Sequence, residues 1–147
     1  MFRHVLVPTD GSELSGKAVG QAVSFAKEAG ARITFYYAKQ DFPLSLYGEG
    51  ALIEPISPEA FAQMMDTKAK EVLDKAVAQA KAAGVQAEAV STVSDSPYMG
   101  IIAAAKAGQC DLIFMASHGR RGLSGMLLGS ETQKVLTHSS IPVLVYR

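Results

Sequence analysis

Residues 111–136 read DLIFMASHGRRGLSGMLLGSETQKVL, and the way this stretch divides decides the fold. DLIFMA is too apolar to have a solvated face, as expected of a strand covered on both sides of a sheet. From Ser130 the chain reads as a short helix running to about His138. Between the two lies a basic, glycine-rich loop. It holds four of the chain's 13 glycines (Gly119, Gly122, Gly125 and Gly129) and two of its five arginines, Arg120 and Arg121. Strand, loop and helix in that order are one half of a βαβ unit.

The same order recurs on both sides. Phe2 to Val7 is a short, apolar, β-branched run stopped by Pro8, and reads as a buried strand. PTDGS turns the chain into a helix from about Glu13 to Ala29, where Leu14, Ala18, Ala22 and Phe25 recur at helical spacing and Gly30 marks the stop. ARITFYYA is a second strand. Residues 39–57, with prolines at 43 and 55 and glycines at 48 and 50, form a long connection without a clean element. Ser57-Pro58-Glu59 opens a helix, Ser as cap and Pro at the first position, which runs to about Ala83 and ends at Gly84. VQAEAVSTV is a third strand. SDSP follows, with Ser96 placed to cap a helix from Pro97 to Ala107 that ends at Gly108. IPVLVY is a fifth strand.

This alternation predicts an α/β domain: a doubly wound, five-stranded parallel sheet with helices on both faces. Ligands of such sheets bind outside the carboxyl ends of the strands, where the strand order reverses. Those ends are PTDGS, AKQ, SDSP and SHGRRG, of which PTDGS and the glycine loop are the most polar and loop-like.

A length of 147 residues fits one domain, 1–147, that buries enough surface to fold without disulfides or metal. Lys plus Arg and Asp plus Glu both count 14, so the formal net charge is zero. A chain that coats nucleic acid is thereby disfavoured. The lone cysteine, Cys110, allows no internal disulfide and reads as a buried, inert thiol. The apolar run at the N-terminus is too short for a signal-peptide core, and no stretch reaches the roughly 20 apolar residues of a membrane span. The expected setting is cytoplasmic, with no membrane partner.

The glycine loop has the chemistry of an anion cradle. Glycines let backbone N–H groups converge on a phosphate. Gly129-Ser130 opening a helix adds unpaired N–H groups and the positive end of the helix dipole. The Ser130 hydroxyl is a further donor, and Arg120 and Arg121 are placed to pair with outer phosphates. Neither GxxxxGK[ST] nor GxGxxG is present; a mobile surface loop with solvated arginines is the competing reading. Asp10, ending the first strand, either caps the next helix or accepts a bond from a ribose hydroxyl or base amino group. A receiver domain would need an acidic pair there and a Lys after strand five, where the chain has Tyr146-Arg147. Of the histidines, His4 precedes the strand core, His138 sits near a helix C-terminus, and only His118 falls at a candidate site, without an obvious nucleophile. No metal-ligand spacing occurs. The Ala- and Lys-rich helix from Ser57 reads as a solvated surface helix.

HVLVPTDGS, ITFYYA and above all ASHGRRGLSGMLLGSETQKVLTHSSIPVLVYR resemble the small, single-domain, nucleotide-binding universal stress proteins, and the likeness covers essentially the whole chain. The nucleotide-binding members share Gly, two residues, Gly, nine residues, then Gly-Ser or Gly-Thr. Gly119, nine residues and Gly129-Ser130 match, whereas Ala116 holds the place of the first glycine. Asp95 likewise stands where many members carry glycine. An alanine at 116 costs little at negative φ and weakens binding if positive φ or close phosphate approach is needed.

The resemblance implies an adenine nucleotide alpha hydrolase-like fold with strand order 3-2-1-4-5. It also implies ATP or AMP as ligand, with Mg²⁺ accompanying the former. By carry-over, Asp10 and the backbone near Ala38 meet the adenosine, Pro8 and Thr9 line the same pocket, and Gly119, Gly122, Gly129 and Ser130 hold the phosphates. A homodimer through Ile141 to Tyr146 is implied as well. The run IPVLVY is apolar on both faces and carries no charge before Arg147, which suits an edge strand that pairs with another chain. The expected function is a stress-response sensor or regulator rather than an efficient enzyme. The alternatives are a slow Mg²⁺-dependent ATP hydrolase assisted by His118 or Asp10, and a nucleotide-free dimeric interaction protein.

Overall fold

Val5, Leu6 and Val7 are completely buried, and their alternation explains the layering. Val5 and Val7 face one apolar cluster and Leu6 faces another, so this strand must have helices on both sides. It is β1 (His4–Pro8), and it is followed by α1 (Glu13–Ala29), β2 (Arg32–Lys39), α2 (Pro58–Ala82), β3 (Ala87–Val93), α3 (Pro97–Ala107), β4 (Leu112–Ala116), α4 (Ser130–His138) and β5 (Val143–Tyr146). The structure, a computed structural model, describes residues 1–43, 56–120, 122, 125 and 127–147. Most of the expected long connection of 39–57, and Arg121, lie outside the described residues.

The sheet has five strands in the order β3-β2-β1-β4-β5, and every pairing is parallel. In register, Val5 lies beside Ile33 on β2 and Leu112 on β4. The first cluster joins Val5, Val7, Phe35 and Phe114 to Ala18, Ala22 and Ala26 of α1 and to Ala69, Leu73, Ala76 and Ala80 of α2. The second joins Leu6, Tyr36, Ile113 and Met115 to Ile101 and Ala105 of α3 and Val135 of α4. Small residues on α1 and α2 let both helices lie close to the sheet. The long helix α2 is thus half solvated and half core, with Lys70 and Asp74 paired on its outer side. Among the described residues no helix is long and apolar enough to cross a membrane.

Helix ends follow their caps. Ser12 and Ser57 accept from Ser15 N and Ala60 N at 3.3 and 3.1 Å, and Pro58 and Pro97 stand at the first helical turns. Ser96 makes no such side-chain bond. The start of α3 is held from outside instead: the Glu131 carboxylate, on α4, accepts from Tyr98 N at 2.8 Å. Strand ends depart further from the sequence. β1 begins at His4 because the Asp111 carboxylate holds Arg3 N (2.9 Å) and His4 N (3.0 Å), while Phe2 packs on Phe25. β5 begins at Val143, since Ile141 N bonds the Ser139 hydroxyl at 3.0 Å.

His4, read as preceding the strand core, is the first residue of β1 and is 4% exposed, with Nε2 2.7 Å from Thr34 Oγ1. Thr34 spends its single hydroxyl proton on Glu88 Oε1 at 2.9 Å, so the neutral imidazole carries its proton on Nε2. Nδ1 has no hydrogen-bond partner among the described residues. Burial, and secondarily the Arg32 charge, hold the imidazole below its ordinary pKa, against the opposing pull of Glu88, Gly108 and Asp111. Cys110 is buried as expected, its thiol pushed up to about 11 by burial first and Asp111 second, which leaves it unreactive.

A histidine with a lowered folded pKa binds its proton more readily in the unfolded chain. Stability from this group is therefore complete above the ordinary value of 6.5 and declines as pH falls through it toward the folded value. Urea midpoints taken between about pH 8 and pH 4.5 should fall with acidity, and His4→Gln should flatten that fall near neutrality. An unchanged slope in the variant would remove His4 as the cause.

Candidate functional site

From β1 the chain moves through β2 to β3 at one edge of the sheet, then returns to place β4 and β5 on the other side. The strand order therefore reverses between β1 and β4, the place where such sheets bind ligands beyond the carboxyl ends of their strands. Pro8 ends β1 and leads into Thr9 and Asp10, while Ala116 ends β4 and leads into Ser117. Ala38 lies on β2 two residues past Tyr36, the partner of Pro8, and is half-buried.

The turn after β1 is knitted by short side chains. Thr9 N continues the ladder to the Tyr36 carbonyl at 2.9 Å. Its buried hydroxyl lies 2.6 Å from Ser15 Oγ, which also accepts from Asp10 N at 3.2 Å. Asp10 does two things at once. Its Oδ1 accepts from Ser12 N and its Oδ2 accepts from Arg120 N, both at 2.9 Å. Ser12 is the cap of α1, so Asp10 shapes the turn and reaches across to the glycine loop.

Gly119 makes that reach feasible. A Cβ there would stand 2.3 Å from Asp10 Oδ2, far inside contact distance. The loop closes where Gly129 N donates to the Ser117 carbonyl at 2.6 Å, while Ser117 N donates to the Tyr146 carbonyl of β5 at 2.7 Å. His118 is enclosed by glycine: a Cβ on Gly122 would stand 2.2 Å from its Cδ2, and one on Gly129 3.1 Å from its Cα. Its Nδ1 lies 3.2 Å from Ser117 Oγ.

Gly129 is the cap residue of α4 and supplies no side-chain acceptor. The first-turn N–H groups of α4 have no intrahelical partner, and exposed Ser130 stands at that end. Glu131 does not occupy it, since its carboxylate serves Tyr98 N and Lys134. Buried Thr132 pins the helix to β4 through its hydroxyl, which donates to the Ala116 carbonyl at 3.0 Å. Ala116 itself is 8% exposed, pairs with Tyr146, and belongs to the core cluster under α1 and α2. Gln109 is the one described non-glycine residue at positive φ, so the alanine carries no backbone penalty.

Arg120 departs most from its sequence reading as a phosphate partner. Its Nη2 donates to the Asp10 carbonyl and to the Tyr37 hydroxyl at 3.3 Å. An open cleft of about 350 Å³ adjoins the loop, lined by Ser12, Glu13, Leu14, Lys17, His118, Gly119, Arg120 and Gly122. Lys17, paired with Glu13 at 3.4 Å, is a site neighbour the sequence reading passed over. The i, i+4 spacing from Glu13 at the α1 start was the available signal. Ser15, Tyr37 and Thr132 were missed too, for want of any motif.

A parallel 3-2-1-4-5 sheet with a glycine loop leading into a helix at its switch point is a doubly wound α/β fold of the nucleotide-binding type of architecture. The chain belongs to the universal stress protein family, whose family model matches residues 1–147. A universal stress protein of Bacillus subtilis is 32% identical over 151 residues, covering all of both chains. A solved Methanocaldococcus jannaschii member superposes with a TM-score of 0.82 at 24% identity, over 99% of this chain and 95% of that one. A universal stress protein solved in complex with cAMP gives 0.71 at 27% identity, over 99% and 97% of the two chains.

Gly119→Ala should displace the Asp10 carboxylate and lower stability by about 1–3 kcal/mol, read from the urea midpoint at constant m. A midpoint equal to wild type would mean the approach of Asp10 to the loop is not tight.

Proposed function

We propose that this chain binds an adenine nucleotide, ATP or AMP, at the switch point between the ends of β1 and β4. We further propose that it acts in the cytoplasm as a stress-response sensor or regulator rather than as an efficient enzyme. The observation that carries the reading is the bare start of α4. Gly129 offers no capping side chain, Glu131 is turned to α3, and the Ser130 hydroxyl is exposed beside it. An uncapped helix N-terminus that follows a switch-point strand attracts an anion. Adenosine would lie toward Pro8, Thr9, Asp10 and the backbone near Ala38, and phosphates toward Gly119, Gly122, Gly129 and Ser130. The cAMP complex of a 27% identical relative supports the adenine preference.

Catalysis has little to work with. Among the described residues no group of three or more His, Cys, Asp or Glu side chains could hold a metal, so Mg²⁺ arriving with ATP would be held mainly by the phosphates. His118 Nδ1 is met by Ser117, and the Asp10 oxygens are met by main-chain N–H groups. The Asp10 carboxylate is thus engaged in holding the two loops. β5 has β4 on one side and no strand on the other among the described residues, and its outer edge is the proposed homodimer contact.

Mass spectrometry of the purified protein should reveal carried-over adenine nucleotide, and calorimetry should give saturable binding of ATP and AMP. Ser130→Ala should weaken ATP binding by about 3- to 10-fold, the worth of one hydrogen bond to a charged group or somewhat less. Absence of binding by the wild-type protein would sink the reading.

A further inference from the structure

Arg120 holds Asp10 from two directions. Its main-chain N–H donates to the Asp10 carboxylate at 2.9 Å, while its guanidinium folds back to the Asp10 carbonyl and on to the Tyr37 hydroxyl at 3.3 Å. The ion pairs of the described residues are Lys17–Glu13, Lys39–Asp66, Lys70–Asp74 and Lys134–Glu131. Arg120 takes part in none of them, so its cation rests on neutral oxygens. The guanidinium passes beside Gly11, whose φ is +79° and where a Cβ would meet Nη2 at an ordinary 3.5 Å but would crowd Val72 Cγ2 at 2.9 Å.

Direction matters as much as contact. Tyr37 belongs to the core cluster under α1 and α2, whereas Val135 of α4 belongs to the cluster on the opposite face. The guanidinium is thus drawn over the end of β1 toward the α1–α2 side, away from the helix start at Gly129 and Ser130. Resting on the nucleotide-binding reading above, the geometry points to Arg120 as a positioning residue, a strap that fixes Asp10 and Gly119 for the nucleoside, and not as a phosphate ligand. Arginine suits this because the two N–H bonds of one planar guanidinium nitrogen, Nη2, reach two acceptors in a fixed geometry, which a lysine ammonium on a flexible stem does less well.

A strap and a phosphate ligand differ in how their loss depends on phosphate number. Calorimetry with adenosine, AMP and ATP separates them. Arg120→Ala should weaken all three by a similar factor, about 3- to 10-fold. Arg120→Lys should lose as much despite keeping its charge. Tyr37→Phe should cost a smaller factor alone and nothing further when combined with Arg120→Ala, as expected of groups sharing one interaction. A loss that grows from adenosine to ATP and is restored by lysine would overturn the strap.

Hydrogen exchange on the nucleotide-free protein gives an independent readout. Arg120→Ala and Tyr37→Phe should both speed exchange at the Ser12 and position-120 amides while the β1 and β2 amides keep their protection. Unchanged exchange at those two amides would likewise overturn it. If wild-type protein binds none of the three ligands, the nucleotide-binding reading fails and exchange alone decides the strap.

Discussion

One carboxylate ties the two halves of the switch point together. Asp10 takes a main-chain N–H from its own turn and another from a residue 110 positions away. Both are charge-assisted bonds, and both sit where the sheet itself offers nothing, past the last paired residues of β1 and β4. The form of the α1 turn, the approach of Gly119 and the seat of Arg120 all follow from where that side chain stands. Without it, the described bonds between the two loops would come down to the Arg120 guanidinium on the Asp10 carbonyl.

That dependence explains why glycine is concentrated in the β4–α4 loop. The residues at 119, 122 and 129 each lie against a side chain or backbone atom closer than a methyl group permits or tolerates easily. Their role is space as much as flexibility. Ala116, in the place of a fourth glycine, lies below this crowded zone in the regular part of β4, where its methyl contributes to the core. The difference between the two situations is one of depth: the strand accommodates a side chain, the loop does not.

Much of the fold was legible because it rests on local rules. The start of α2 is written in Ser57 and Pro58, and the alternation of buried strands with helices dictates a parallel sheet; at α1 the capping side chain is Ser12 and not Asp10, which was the candidate. The strand order came through the family resemblance and was not read from the residues. What stayed hidden depends on distant partners. Ser96 looks like a cap, yet Glu131 does the work from another helix. His4 looks peripheral, yet Asp111 holds its main-chain N–H at the start of the central strand and Thr34 accepts from its ring. Asp10, Gly119, Gly129 and Ser130 stood out by type and spacing. Tyr37 did not, because nothing local distinguishes a core tyrosine from one whose hydroxyl meets an arginine 83 positions later.

The bond from Gly129 N to the Ser117 carbonyl forms a neck at the base of the glycine loop. A neck turns the segment above it into an interchangeable module. Changes above it that spare the crowded glycines leave β4 below and α4 beyond in their places, because both are anchored outside it, by Tyr146 and by the Thr132–Ala116 bond. Divergence among chains of this architecture then has a natural address: between Ser117 and Gly129, on a scaffold that need not move.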